Sequence, residues 1–286
     1  MPRVIGIVLL AVLAAACSRA PEAKEYELEG QILGVKHAER EVLIKHEDIT
    51  GFMPGMTMPF KVKEVGLLEG REAGDLVTAT LVVEETDAHL SRLTKTGSAP
   101  VAVPPPAETT SGFELLRPGG EVPNQLLIDQ DGKPKPLDSL KGHRVALTFT
   151  YTRCPMPTFC PMMDRSFAAL QKEIVKAPEL SDVRLLSVSF DPQFDTPKVL
   201  KAHAKELGAD PRVWSFVTGD RDEVDRLAAR FGLAIQRDER NPTEISHTLR
   251  TALIDPQGRL ITVHTGNSWT AADLLAEIKN IPTSAH

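Results

Sequence analysis

The chain has 286 residues, is 42% hydrophobic and carries a formal net charge of −6. That is enough for one large domain or two small ones. The acidic balance and the lack of any basic run exclude counterion-driven binding of DNA or RNA, so no nucleic-acid partner is expected.

The opening, "MPRVIGIVLLAVLAAACSRA", sets Arg3 ahead of an apolar run from Val4 to Ala16. The run is too short to span a bilayer comfortably and suits an export signal. Its end, Ala14-Ala15-Ala16-Cys17, resembles a bacterial lipoprotein cleavage box, with Leu13 one place further from the cysteine than usual. Residues 1–17 are therefore read as a lipoprotein signal with Cys17 as the lipidation site. The alternative is simple cleavage nearby, with Cys17 removed or free. Either way the mature chain is expected on the periplasmic side of a bacterial cell envelope. In the first case a lipid anchor holds it to the membrane, and in both the other two cysteines face an oxidising compartment.

Residues 21–97 contain five short β-rich runs, "YELEGQILGV", "EVLIKH", "MTMPFKV", "LVTATLVV" and "HLSRLTK", with turn-like "KHAERE" and "EAGD" between some of them. Five strands in this length, and no helical pattern, predict a small closed all-β barrel. Residues 98–112, "SAPVAVPPPAETTSG", read as a Pro-rich, semi-rigid linker. Such a linker spans roughly 20 Å if flexible and up to about 45 Å if extended, so two sites it joins can meet at an effective concentration on the order of mM.

Residues 113–286 alternate strand and helix. "RVALTFTY" and "VRLLSVSF" are buried-strand patterns, and a helix is expected from about Met162 to Lys176. Thr196-Pro197 starts another helix that runs to Gly208, "VWSFV" is a short strand, and Asp220 with Glu223 forms a capping-box pattern for a helix ending near Gly232. "TLRTALIDPQGRLITVH" reads as a hairpin and "AADLLAEIKN" as a closing helix. This order predicts a three-layer α/β domain of thioredoxin type.

Apart from Met1, the methionines fall into two windows: Met53, Met56 and Met58, then Met156, Met162 and Met163. Gap-filling core methionines scatter, whereas clustered thioethers suit a soft metal. Met56 and Met58 are two apart on a strand and so share a face, which His46 can approach from the preceding strand. Two thioethers and an imidazole make a neutral, soft set suited to Cu(I) or Ag(I). The bland alternative is that the methionines are barrel core and His46 is a surface residue.

Cys154 and Cys160, in "TRCPMPTFCPMM", lie between a buried strand and a helix start. A structural disulfide is sterically possible across that loop. A helix N-terminus favours a thiolate, so a redox pair or a metal site are the other readings. A metal would need a further ligand from elsewhere. His247 in "ISHTLRTALIDPQGRL" is the best supplier and His264 its rival.

Both windows resemble known families. "IKHEDITGFMPGMTMPF" is similar to the signature of the periplasmic copper chaperone CusF and its relatives, five-stranded OB-like barrels. The resemblance covers roughly residues 26–96 and implies that His46, Met56 and Met58 bind copper. The aromatic residue that covers the metal in that family aligns with Met53, a further candidate ligand or a lid, with Phe52 beside it. "FTYTRCP…CPMM", "SVSFDPQFDTPKVLKAHAKELGADPRVWSFVTG" and "ISHTLRTALIDPQGRL" resemble the Sco/SenC proteins over most of residues 113–280. That resemblance implies a thioredoxin-like fold, one copper held by Cys154, Cys160 and His247, and a part in assembling the dinuclear copper centre of cytochrome oxidase. The family spacing is C-x-x-x-C, and here the loop is two residues longer. Asp191 in "SFDP" also matches a family motif, with a role in capping the turn after a strand or in redox chemistry.

The expectation is an exported, lipid-anchored metallochaperone rather than a catalyst. Cu(I) sits in the barrel, Cu(I) or Cu(II) sits at the cysteine pair, and the partners are a cytochrome oxidase subunit and a thiol reductant protein. Copper is expected to pass from barrel to cysteines within one molecule. The rivals are a thiol–disulfide oxidoreductase that uses Cys154 and Cys160 on a copper-accepting partner, and a sequestering protein for copper resistance.

Overall fold

A computed structural model describes residues 23–101, 114–237 and 245–283. The signal segment, Cys17 and most of the linker lie outside the described residues.

The first unit is all-β. Strands β1 (Lys24–Lys36), β2 (Glu41–His46), β3 (Met56–Lys61), β4 (Asp75–Val83) and β5 (Ala88–Ser98) form an antiparallel sheet ordered β3-β2-β1-β4-β5. The sheet curls until Val62, just past β3, bridges Leu90 on β5, so the two edges meet. Alternation drives this: Val42, Ile44, Met58, Phe60, Val77, Ala79 and Leu81 all point inward and are buried. A short 3-10 turn, Val65–Leu68, departs from the expected all-strand pattern and seals one end with fully buried Leu68. The start of the expected linker is docked on the barrel, because the Ala99 N–H donates to the Gly74 carbonyl and Gln31 Nε2 donates to the Ala99 carbonyl.

The second unit has a seven-stranded sheet ordered β14-β13-β8-β9-β10-β6-β7. Its strands are β6 (Leu126–Asp129), β7 (Pro134–Pro136), β8 (Arg144–Thr150), β9 (Val183–Ser189), β10 (Trp214–Thr218), β13 (Arg250–Ile254) and β14 (Leu260–Thr265). The centre, β8-β9-β10, is parallel, and the flanks are antiparallel. Helices α1 (Cys160–Lys176), α2 (Pro197–Glu206) and α4 (Ala271–Asn280) pack on one face through Phe167, Leu200 and Leu274. Helix α3 (Arg221–Arg230) covers the other through Val224 and Leu227. This is the thioredoxin-like α/β architecture the alternation predicts.

Three local details differ from the sequence expectation. Helix α1 starts at Cys160 itself, two residues early. Asp220 caps α3 by accepting from the Asp222 and Glu223 N–H groups, but the Glu223 carboxylate accepts from Gln125 rather than closing the box. A separate two-stranded sheet, β11 (Ile235–Arg237) with β12 (Ile245–His247), carries His247.

Candidate metal centre

In the barrel, the register sets His46 directly opposite Met56 and Ile44 opposite Met58, so the three candidate donors share one face. Glycine lets the chain come this close. A Cβ on Gly30, the partner of His46 on β1, would fall 2.6 Å from the Lys45 carbonyl oxygen, and one on Gly55 would fall 2.9 Å from that of His46. His46 is buried, not on the surface. Its Nδ1 lies 2.7 Å from the Glu47 carbonyl oxygen, which can only accept, so Nδ1 carries the proton. Nε2 is buried with no hydrogen-bond partner. Burial holds the imidazole pKa below its ordinary value, so the ring is neutral with a free Nε2 lone pair. An unpartnered buried acceptor is costly unless something binds it, and a soft cation fits. Phe52 stacks on Tyr26 at 4.5 Å, whereas Met53 is buried in the barrel core, so Met53 rather than Phe52 adjoins the methionine pair.

In the α/β unit, the loop after β8 and the first residue of α1 supply the two cysteines, and β12 supplies the histidine. Cys154 Sγ, Cys160 Sγ and a ring nitrogen of His247 all lie within 4.8 Å of one another. Three ligands spread around one metal with N and S bonds of about 2.0–2.3 Å stand about 3.5–4 Å apart. The group can therefore close on one ion with shifts of about 1 Å or less. Both cysteines are free thiols. His247 repeats the device seen at His46: Nδ1 donates to the Thr248 carbonyl at 2.8 Å, and Nε2 faces Cys160 Sγ at 3.8 Å. The rings of Phe190, Tyr151 and Phe159 surround the imidazole at 4.8, 5.5 and 6.2 Å and fix its plane. His264 stands elsewhere, with Nε2 3.0 Å from the Glu277 carboxylate.

The two sulfurs are not equivalent. The Cys160 thiol donating to it, with His247 beside it, pulls the Cys154 pKa well below its usual value despite burial. Burial and the neighbouring Cys154 push Cys160 up, and this outweighs its place at the helix N-terminus. Of the two, Cys154 therefore has the stronger thiolate character.

Asp195 and Arg237, which the sequence did not single out, hold this geometry together with Asp191. The fully buried Asp195 carboxylate accepts from the Thr152 N–H at 3.0 Å, from the Thr152 hydroxyl and from Ser189 Oγ, and so pins the start of the cysteine loop to the end of β9. Asp191 pairs with Arg153 Nε at 2.7 Å and ties the same two segments. Its carboxyl pKa is raised, because burial outweighs the Arg153 charge. Arg237 anchors β11 by donating to the Asp225 carboxylate and to the Phe190 carbonyl. Met162 and Met163 do not join the centre: Met163 is fully buried under α1 and Met162 packs beside that core.

Part of each donor group lines one pocket of about 30 Å³: Met53, Met56 and Met58 from the barrel, and Cys154, Met156 and His247 from the α/β unit, with His46 and Cys160 set back from it.

Comparison with known proteins places the chain. Residues 121–283 match the family model described as SCO1/SenC. The chain belongs to the SCO1/SenC family. Residues 25–95 match the model described as copper binding periplasmic protein CusF, so this Sco protein carries an N-terminal CusF-like domain. The Sco part is 32% identical over 165 residues to the SCO1 protein homolog of Bacillus subtilis, covering 57% of this chain and 83% of that one. It is 28% identical over 138 residues to the human mitochondrial protein SCO1 homolog, covering 47% of this chain and 44% of that one. A SCO1/SenC family lipoprotein from Bacillus anthracis superposes with a TM-score of 0.51 at 28% identity, over 58% of this chain and 98% of that one. Membership of these two families supports copper binding. Among the described residues, no helix is long and apolar enough to cross a membrane.

Proposed function

We propose that this Sco protein is an envelope copper metallochaperone. His46, Met56 and Met58 take Cu(I), with Met53 as a further donor or lid. Cys154, Cys160 and His247 receive copper and deliver it to a copper-accepting protein, a cytochrome oxidase subunit being the acceptor that family membership favours. The observation that carries this reading is that soft donors from both groups, Met56 and Met58 with Cys154 and His247, line one pocket. Thioethers bind without losing a proton and form no disulfide, so the barrel set can serve in an oxidising compartment, while thiolates should hold Cu(I) more tightly and set the direction of transfer. The periplasmic CusF family and a lipoprotein among the solved relatives support an envelope location, with Cys17 as the anchor.

The test is titration of the reduced chain with Cu(I), counting ions by spectroscopy. The expected result is about two ions per chain, one lost with Met56→Leu/Met58→Leu and the other with Cys154→Ser/Cys160→Ser. Binding of no copper by the reduced chain would refute the reading. A second reading, thiol–disulfide exchange on the acceptor, is favoured by the closeness of the two free sulfurs and the thiolate character of Cys154. Reduction of a partner disulfide by metal-free protein would support it.

A further inference from the structure

Met156 sits between the two cysteines in sequence, yet it is 4% exposed and packs in the hydrophobic core of the barrel. A methionine that served only its own domain would bury in one of the α/β cores, as Met163 does. The loop is built to present it across the gap. Pro155 and Pro157 flank it and restrict the backbone on both sides. The Met156 carbonyl accepts from the Phe159 N–H at 3.1 Å and lies 3.9 Å from Cys154 Sγ, so the turn that carries the thioether also carries the thiolate. Arg165 on α1 then fastens the loop to the barrel, donating to the Pro157 carbonyl at 2.8 Å and to the Thr86 carbonyl, in the β4–β5 turn, at 3.3 Å.

Met156 thus lines the cavity together with Met53, Met56, Met58, Cys154 and His247. A single water needs about 10–15 Å³ of such space, so about 30 Å³, open on one side, has room for one ion or two to three waters. Among the described residues no Asp, Glu, Lys or Arg lines it; its donors are sulfurs and an imidazole, beside the hydroxyls of Thr57, Tyr151 and Ser246. A hard, hydrated cation is disfavoured there and Cu(I) is not.

Building on the two-site reading above, we propose that Met156 is a copper ligand common to both sites. Cu(I) crosses from the barrel thioethers to the cysteine pair inside this cavity, bound to the Met156 sulfur during the exchange and without separation of the two domains. Bonds from copper to His46, Met56 and Met58 break as bonds to Cys154, Cys160 and His247 form. Copper stays Cu(I), no electron moves, and any thiol proton that copper displaces from the cysteines is released to water.

The experiment uses the full chain with its methionine methyl groups labelled with carbon-13, and Met156→Leu to assign the Met156 signal. Cu(I) is added to a Cys154→Ser/Cys160→Ser variant, which can load only the barrel, and to a Met56→Leu/Met58→Leu variant, which can load only the cysteines. The Met156 methyl signal should shift in both. If it is unmoved in either, Met156 is not common to the two sites. The second measurement is the rate at which barrel-loaded Cu(I) reaches the thiolates, read from charge-transfer absorption. Met156→Leu keeps the apolar volume but removes one ligand from each site, so Cu(I) affinity should fall at both, and transfer should slow by about tenfold or more, roughly 1.4 kcal/mol of barrier. Transfer at the wild-type rate in Met156→Leu would overturn the Met156 role and leave the metallochaperone reading standing. Failure of the wild-type chain to transfer copper at all would overturn both.

Discussion

In the barrel, the donors come from neighbouring strands whose register alone places His46 opposite Met56 with Met58 two residues on. Across the cavity, Cys154 comes from a loop, Cys160 from a helix start and His247 from a two-stranded sheet 87 residues beyond Cys160. The histidines nonetheless share one arrangement. Each gives Nδ1–H to the carbonyl of the next residue and keeps Nε2 for a ligand. The first kind of site follows from a period-two pattern, whereas the second depends on buried polar groups that hold three unrelated segments in place. The strand-built site should therefore tolerate damage that the loop-built site does not.

The largest effect expected is loss of one site outright. Cys154→Ser or Cys160→Ser, or oxidation of the pair to a disulfide, leaves too few thiolates for Cu(I). Copper bound per reduced chain should fall from about two to about one, the ion that is left residing in the barrel. Retention of two ions would break the comparison, because it would mean that the cysteines are not the second site.

Asp195 comes next. Its carboxylate accepts from both the N–H and the hydroxyl of Thr152 and from Ser189 Oγ. Asp195→Asn replaces one acceptor oxygen with an NH2 group that cannot accept, leaving a buried donor without a partner at a cost of about 1–3 kcal/mol. Unfolding should move to lower denaturant, and affinity at the cysteines should drop with it. Copper binding by the barrel should be unchanged. Equal weakening at both sites would show that the barrel site leans on the cysteine loop as well.

Single donor deletions should be milder. Met56→Leu keeps the packing volume, so the barrel should fold normally while its Cu(I) affinity falls about tenfold, or roughly 1.4 kcal/mol. His247→Ala should weaken the cysteine site by a similar factor, and His264→Ala should leave it alone, since His264 is engaged by Glu277. Undiminished copper binding in Met56→Leu would make that residue core and nothing more.

The same contrast explains what the sequence revealed. The five barrel strands, the alternation of the α/β unit and the starts of α2 and α3 are local patterns, and they are where the residue types put them, although Thr196 makes no side-chain cap bond. Met56 and Met58 were legible as a pair because strand periodicity is short-range. Asp195 was not, since nothing local distinguishes a loop aspartate that will accept three buried hydrogen bonds from one that faces water. Met156 was visible as a soft donor in the cysteine loop, but its burial in the barrel is a long-range contact between domains that no periodicity encodes. The short strands β11 and β12, three residues each, are too brief to carry a pattern, so His247 was placed only before a hairpin.

The smallest expected effect uses a histidine of the other kind. His203 on α2 places Nε2, not Nδ1, in a polar contact, 2.9 Å from the Asp164 carboxylate one turn along α1 from Cys160. Burial opposes the imidazolium charge, but the Asp164 hydrogen bond and charge prevail and raise the His203 pKa above its ordinary value. A group whose pKa is higher in the folded than in the unfolded chain stabilises the fold most where both states are protonated. His203 should therefore contribute fully below its unfolded value of about 6.5 and progressively less as pH rises through the folded one. His203→Gln removes that charge and keeps a donor. Its urea midpoint should lie below that of the wild type at about pH 5.5 and converge on it by about pH 8.5, a difference on the order of 1 kcal/mol or less. Because Nε2 is spent on Asp164, copper binding should be the same in the variant at either pH. A loss of copper in His203→Gln would mean that Nδ1-to-carbonyl pairing does not separate the ligand histidines from the structural ones.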